Sequence, residues 1–330
     1  MKFGPVPVGE AEGAILAHSL NLPAGRMRKG AVLSAAQCTA LSEAGVTKVT
    51  VAQLEEGDVH EDEAARQLAT ASRQKDSSIQ LSAPFTGRVN LIADAPGVVC
   101  LQVGQIEAAN AVDPMITVAT VPPLHQIHPG GMIATIKVIS YAVPGTAVTR
   151  AAGLLREAIG LAAPVYASAS LIITDIPGGP GRKGEDAIGH RLTGLGIDLV
   201  ETRVCAHTED ALAQEIAAAS GEIMLILTAS ATSDIRDTAP EALRRAGGEV
   251  TRFGIPVDPG NLLFLGALGD KPVIGLPGSA RSPVLHGADW VLSRVVCGVT
   301  LDDADFAAMG VGGLLKEIPT RPQPRRGGRN

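Results

Sequence analysis

The residues of this chain with the greatest chemical capacity gather in three short segments of its C-terminal half. The apolar run EIMLILT passes into ASATSDIRD, where Ser230, Thr232 and Ser233 carry small hydroxyls and Asp234 and Asp237 carry carboxylates. Such a set can orient a polar ring, and a carboxylate beside a phosphate can hold Mg²⁺, which makes Asp237 the candidate metal ligand. The same residues also suit a plain helix start, because Asp237, Thr238 and Pro240 fit N-cap and first-turn positions. The second segment, PVDPGNLLFLG, offers Asp258, Gly260 and Asn261 at a turn. The third, GLPGSARSP, offers Gly278 for close backbone approach, with Ser279, Arg281 and Ser282 as a phosphate clamp in which Arg281 can bind bidentately.

A fourth loop, TDIPGGPGRKGEDAIGHRL, matches GxGxxG literally at Gly179, Gly181 and Gly184, with Asp198 and Glu201 near the place of the later acid. Two physical objections weigh against a dinucleotide site. Asp175 to Gly178 intervene where the first glycine should close a tight turn, and Pro180 removes a backbone donor where pyrophosphate would approach. Lys183 is followed by Gly184, so no Walker loop is present. The loop reads either as an anion cradle, with Arg182 and Lys183 ahead of a helix start, or as a flexible turn. His125 and His128 in HQIH lie among prolines and glycine, which makes the segment a loop and a poor metal site. The isolated His18, His60, His190, His207 and His286 receive no role.

The elements that must position these loops alternate. After residue 150 a helix-like stretch leads to ASASLIITD, GEDAIGHRLTGLG, IDLVETRV, TEDALAQEIAAA, EIMLILTA and DTAPEALRRAGG. Strand and helix in turn imply right-handed crossovers and a mainly parallel sheet with helices on both faces. Ligands in such sheets bind at the carboxyl ends of the strands, where the three polar segments fall. Earlier, residues 26–70 read as strand, helix and strand with Gly45 as the helix stop, and acids from Asp58 to Glu63 open a further helix. Short apolar runs from Ile79 to Pro144, punctuated by Pro and Gly, mark a small β-rich module. The expected division is 1–78, an α+β segment; 79–150, β-rich; 151–300, the α/β domain; and 301–330, an extension ending in a solvated basic tail with Arg321, Arg325, Arg326 and Arg329.

Composition narrows the function classes. The 330 residues are 45% hydrophobic and 19% charged, which excludes a disordered chain. Aromatics are only 2% and the net charge is −6, so neither stacking platforms nor a basic field for nucleic acid or an anionic membrane is available. The core must be built from Ala, Val, Leu and Ile. Four dispersed cysteines without a CxxC pair fit a reducing compartment, and an N-terminus carrying Glu10 and Glu12 lacks an export signal. A cytoplasmic protein is expected, and the β-rich module with an aromatic-poor surface suggests a homo-oligomer.

The ordered set TASATSDIRD, GGEVTRFGIPVDPGN and KPVIGLPGSARSP resembles the molybdopterin-binding domain of molybdenum cofactor biosynthesis proteins, the MoaB/Mog and MoeA group, over residues 166–300. The first 150 residues are similar to the N-terminal region of molybdopterin-binding proteins that, in some bacteria, are fused to a molybdopterin cytidylyltransferase; no such half is expected in this chain. The resemblance implies a three-layer α/β/α domain whose strand-end loops hold molybdopterin or the molybdenum cofactor, with Mg²⁺ as a further ligand at Asp237. It implies a role in cofactor biosynthesis, maturation or delivery, beside a cytidylyltransferase or a molybdenum hydroxylase. It also leaves two alternatives: a Mg²⁺-dependent molybdopterin adenylyltransferase or molybdenum insertase, and a scaffold for a hydroxylase. Ala229, Ser230 and Ala231 stand where the catalytic members carry a glycine-rich loop, so binding is the expectation and catalysis is left open.

Overall fold

The computed structural model describes residues 1–23 and 25–315, so the basic tail from Thr320 lies outside the described residues. Among the described residues no helix is long and apolar enough to cross a membrane. The chain divides into two compact units, Met1–Ala95 with Val99–Leu161, and Pro96–Val98 with Ala162 onward.

In the first unit, the Ser34 hydroxyl and Gln37 form a reciprocal capping box that starts the helix Ala35–Glu43. That helix shares a core of Val8, Leu16, Leu33, Leu41, Val49 and Val51 with an antiparallel sheet in which Lys2–Pro7 and Ile15–Leu16 flank Lys48–Gln53. Val32, read from the sequence as part of a strand, forms only an isolated bridge to Ile15. The run from Ile79 to Pro144 does form short strands, and Ile79–Leu81, Arg88–Ala93, Met132–Val138 and Ile116–Thr120 pair antiparallel. The helices Glu61–Ser72 and Gly145–Leu154 contribute Leu68 and Ala151 to the same core as Leu91 and Ile136. The helix-like stretch after residue 150 is therefore half strand, because Glu157 takes a left-handed φ of 54° that reverses the chain before the strand Ile159–Ala162.

The second unit is an α/β sheet with the elements β1 (Ser168–Asp175), α1 (Glu185–Gly194), β2 (Asp198–Ala206), α2 (Glu209–Ala218), β3 (Ile223–Leu227), α3 (Thr238–Arg245), β4 (Glu249–Phe253), β5 (Phe264–Leu268), β6 (Lys271–Leu276), α4 (Gly287–Val296) and α5 (Asp303–Ala308). The strand order is β2-β1-β3-β6-β5-β4. The first four are parallel, as the alternation of strand and helix requires, and β5 pairs antiparallel with both β6 and β4, so that β5 alone runs against the rest. The reversal has a local cause: only Gly269 and Asp270 separate β5 from β6, and a two-residue turn can join antiparallel strands alone. α2 and α3 bury Leu212, Ile216 and Leu243 against Ile172, Met224, Ile226 and Val273 on one face. Every residue of β3 is buried, so the opposite face is covered as well, and α4 packs on β6.

From β1 the chain crosses to β2 on one side, then back over β1 to β3 on the other. The carboxyl ends of β1 and β3 thus form a topological switch point, the place where open α/β sheets leave a crevice.

Candidate functional site

Register brings the polar strand ends level. Thr174 in β1 pairs with Cys205 in β2, and Ile173 with Leu227 in β3, so the residues that follow each strand meet at one edge. His207, the first residue after β2, spans the switch point: Nδ1 lies 2.8 Å from Thr174 Oγ1, and Nε2 lies 2.8 Å from Ser230 Oγ. Thr174 is fully buried and its Oγ1 accepts the Ala229 amide hydrogen at 3.0 Å. The Thr228 hydroxyl donates to the Ser230 carbonyl at 2.6 Å. The ends of three adjacent strands are therefore tied through side chains, with Ser230 exposed at the surface of the network.

Asp237 caps α3. Its Oδ1 accepts the Thr238 amide at 2.7 Å and its Oδ2 accepts the Ser233 amide at 2.8 Å. Burial pushes its carboxyl upward, but the hydrogen bonds from the Ser233 and Thr238 amides outweigh it and hold the group below the usual range. Asp237 stays ionised, with both oxygens committed to its own loop. Among the described residues no three His, Cys, Asp or Glu side chains gather closely enough to hold a metal ion. In the protein itself the carboxylate serves as helix cap and loop clamp, each oxygen accepting one amide hydrogen.

The third loop begins as a 3₁₀ turn, Gly278–Arg281. Arg281 reaches back across the edge, Nη2 donating to the Thr228 carbonyl at 2.9 Å and Nη1 to the Lys183 carbonyl. Burial draws its pKa down and the nearby Asp175 carboxylate opposes that. Two of its five N–H groups are thus spent on carbonyls and three remain for a ligand. The approach is close enough to require glycine at 184: φ is +101°, and a Cβ there would lie 2.8 Å from Arg281 Cα.

Ser279 Oγ is hydrogen-bonded to Nε2 of the buried His286, whose Nδ1 accepts the Ala288 amide hydrogen at 3.0 Å. The neighbouring Gly287 amide donates to the Pro259 carbonyl at 2.9 Å. Gly260, at φ +136°, leaves no room for a side chain, since a Cβ would sit 3.0 Å from Gly287 Cα. The Asp258–Asn261 loop therefore backs onto the Ser279 loop through the start of α4.

The sequence candidates separate on this geometry. Ser230, Ser279 and Arg281 share one hydrogen-bonded edge, Asp237 and Gly260 buttress it, and Thr232 is buried in the loop after β3. Gly278 is exposed with open space where a Cβ would be, so nothing in the protein itself demands glycine there. Asp258, Asn261 and Ser282 are exposed, and Asp258 bonds through its backbone to Gly313 and Leu315. Ser282 lends its carbonyl to Arg191 of α1, which also donates to the carbonyls of Ala280 and Val284 and pairs with Asp289 of α4. In the glycine-rich loop, Asp175 Oδ1 accepts the Gly181 amide at 3.1 Å and Arg182 pairs with Glu185 at 2.6 Å. Glu201 belongs to the opposite end of the sheet, bound by Ser170, Ser220 and Arg203 and held at about 2, so it is not the acid of a dinucleotide site.

His207, His286, Thr174 and Arg191 are the residues that sequence reasoning missed. For His207 a signal existed: it directly follows VETRVCA, and the end of a parallel strand is where function collects. Arg191 sits in the last turn of α1, where a basic residue is ordinary, and its loop partners are 89 to 93 residues away in sequence, so no local pattern marks it.

Residues 5–53 match a domain of unknown function (DUF8806). No curated protein matches the chain. Among solved structures, the crystal structure of a molybdopterin biosynthesis MoeA protein from Pyrococcus horikosii aligns with 90% of this chain and 75% of its own, at 14% identity and a TM-score of 0.32. A molybdenum cofactor biosynthesis protein from Pyrococcus furiosus aligns with 97% and 67%, at 10% identity and a TM-score of 0.23. These likenesses are distant, and the functional reading rests on the residues of the strand-end site.

Proposed function

We propose that this chain binds molybdopterin, or the molybdenum cofactor built on it, at the carboxyl edge of the six-stranded sheet of a three-layer domain, and that it acts in maturation or delivery of that cofactor. The observation that carries the reading is Arg281. It joins the GLPGSARSP loop to the TAS loop and the glycine-rich loop, so that segments separated by about a hundred residues present hydroxyls and a guanidinium together. These are the segments on which the sequence resembles the molybdopterin-binding domain. A switch-point edge bordered by small side chains suits a flat ring, and the remaining Arg281 N–H groups suit its phosphate.

Binding is preferred to catalysis because Ala229, Ser230 and Ala231 replace a loop of bare backbone. A bound cofactor would then pass to a cytidylyltransferase or a molybdenum hydroxylase. Fluorescence titration of the full chain with molybdopterin tests the reading. Wild type should bind and Arg281→Ala should bind at least tenfold more weakly while keeping its circular dichroism. Equal affinity in a folded Arg281→Ala protein would overturn it, and consumption of ATP or CTP with molybdopterin would favour the transferase instead.

A further inference from the structure

Two serines of the site are each backed by a histidine whose other ring nitrogen is already committed. At His286, Nδ1 accepts the Ala288 amide hydrogen at 3.0 Å, so the ring proton of the neutral imidazole sits on Nε2 and is donated to Ser279 Oγ. At His207 the same polarity follows from Thr174. That hydroxyl is fully buried and already accepts the Ala229 amide hydrogen, so its own proton goes to His207 Nδ1, 2.8 Å away; any other arrangement leaves a buried donor unsatisfied. The His207 proton then lies on Nε2 and is donated to Ser230 Oγ at 2.8 Å.

A hydroxyl that accepts from an imidazole N–H turns its own hydrogen away from the ring, and successive bonds of one polarity strengthen the last donor. We infer that His207 and His286 are positioning residues that set Ser230 and Ser279 as hydrogen-bond donors, so that this edge selects an oxyanion, a phosphate monoester, over any ligand group that must itself donate. The inference rests on the ligand-binding reading above and specifies which end of the ligand meets these loops. Arg281, two residues after Ser279, bonds the carbonyl two residues before Ser230 and brings positive charge to the same loops. The neighbouring carboxylates are turned inward: Asp237 holds the Ser233 and Thr238 amides, and Asp175 holds the Gly181 amide.

The full chain with ¹⁵N-labelled histidine tests the polarity directly. Two-bond ¹H–¹⁵N spectra at pH 8, where an ordinary imidazole is neutral, should show His207 and His286 protonated on Nε2 and bare on Nδ1. A proton on Nδ1 of His207 would overturn the inference, because Ser230 would then donate into the ring. Inorganic phosphate is the ligand probe. Ser230→Ala and Ser279→Ala should each weaken phosphate binding roughly tenfold or more, the loss expected for one hydrogen bond to a charged acceptor. His207→Gln, which keeps a donor amide near Ser230, should retain most of the affinity that His207→Ala loses. Wild type that fails to bind phosphate, or serine variants that bind as well as wild type, would overturn it. Correct tautomers and phosphate binding combined with no affinity for molybdopterin would leave this inference standing and remove the functional reading instead.

Discussion

Replacing Arg191 by methionine isolates the strap that holds the phosphate-facing loop. The Arg191 and Asp289 side chains are only 11% and 12% exposed, and Arg191 donates to the carbonyls of Ala187, Ala280, Ser282 and Val284 at 3.1, 3.0, 2.7 and 3.2 Å. Water can replace the donor at the exposed Ser282 and Val284, so little is lost there. Ala280 is fully buried, and an orphaned buried carbonyl costs about 1–3 kcal/mol. The larger loss is at Asp289, whose carboxyl burial already pushes upward with Arg191 in place; removing the partner of a buried ion pair costs about 3–5 kcal/mol. Because the terms overlap, we expect about 4 kcal/mol in total, a fall of about 2 M in the urea midpoint at an m-value near 2 kcal/mol/M. Trp290, the sole tryptophan, lies beside Asp289 in α4 and reports on this unit by fluorescence. Asp289→Asn added to Arg191→Met should restore about half of the loss. The sign with pH follows from the raised carboxyl: the share of the penalty due to the uncompensated Asp289 charge is full above its folded pKa and is lost as pH falls below 3.8, where the acid is protonated in both states, while the share at the Ala280 carbonyl remains. A shift under about 1 kcal/mol, or a deficit that does not narrow toward pH 4, would refute the view that this buried pair holds the loop.

Three further outcomes are expected. Gly184→Ala, with φ at +101° and Arg281 backbone in the way, should destabilise by roughly 2 kcal/mol by thermal melting and also weaken ligand binding, since the loop must move off Arg281. Phe264→Ala, which empties a fully buried ring site in β5, should cost about 3–5 kcal/mol in chemical denaturation. Glu201 is held at about 2 by the Ser170 hydroxyl first, then the Ser220 amide and Arg203. A depressed carboxylate stabilises fully above its unfolded value near 4.5 and loses that contribution as pH falls toward 2. Wild type should therefore lose more stability than Glu201→Gln between pH 5 and pH 2.5, read by urea midpoints at each pH.

Elements set by local pattern were readable. The run EIMLILT is β3, the acids of GEDAIGHRL open α1, and Asp237 followed by Thr238 and Pro240 starts α3, the plainer of the two readings of those residues. The sequence reading of a mainly parallel sheet left the direction of the β4–β5–β6 end open, although the two-residue Gly269–Asp270 connection is itself a local antiparallel signal. The loop identities were also legible, because glycine, proline and small hydroxyls at strand ends are chosen by backbone geometry and ligand access at once.

What the sequence by itself determined is the alternation of strand and helix, the parallel core of the second unit, and the three polar loops that this topology carries to one edge. Periodicity and turn chemistry are properties of neighbouring residues, so they survive without the fold. Only the tertiary structure decided which loop residues act together. His207 bonds Thr174 33 residues before it and Ser230 23 residues after it, and Arg281 bonds a carbonyl 98 residues away. It also showed that each Asp237 oxygen accepts an amide hydrogen, one from Ser233 across the loop and one from Thr238. Hydrogen-bond partners at such separations depend on strand register to within an ångström, and no pattern along the chain encodes that distance.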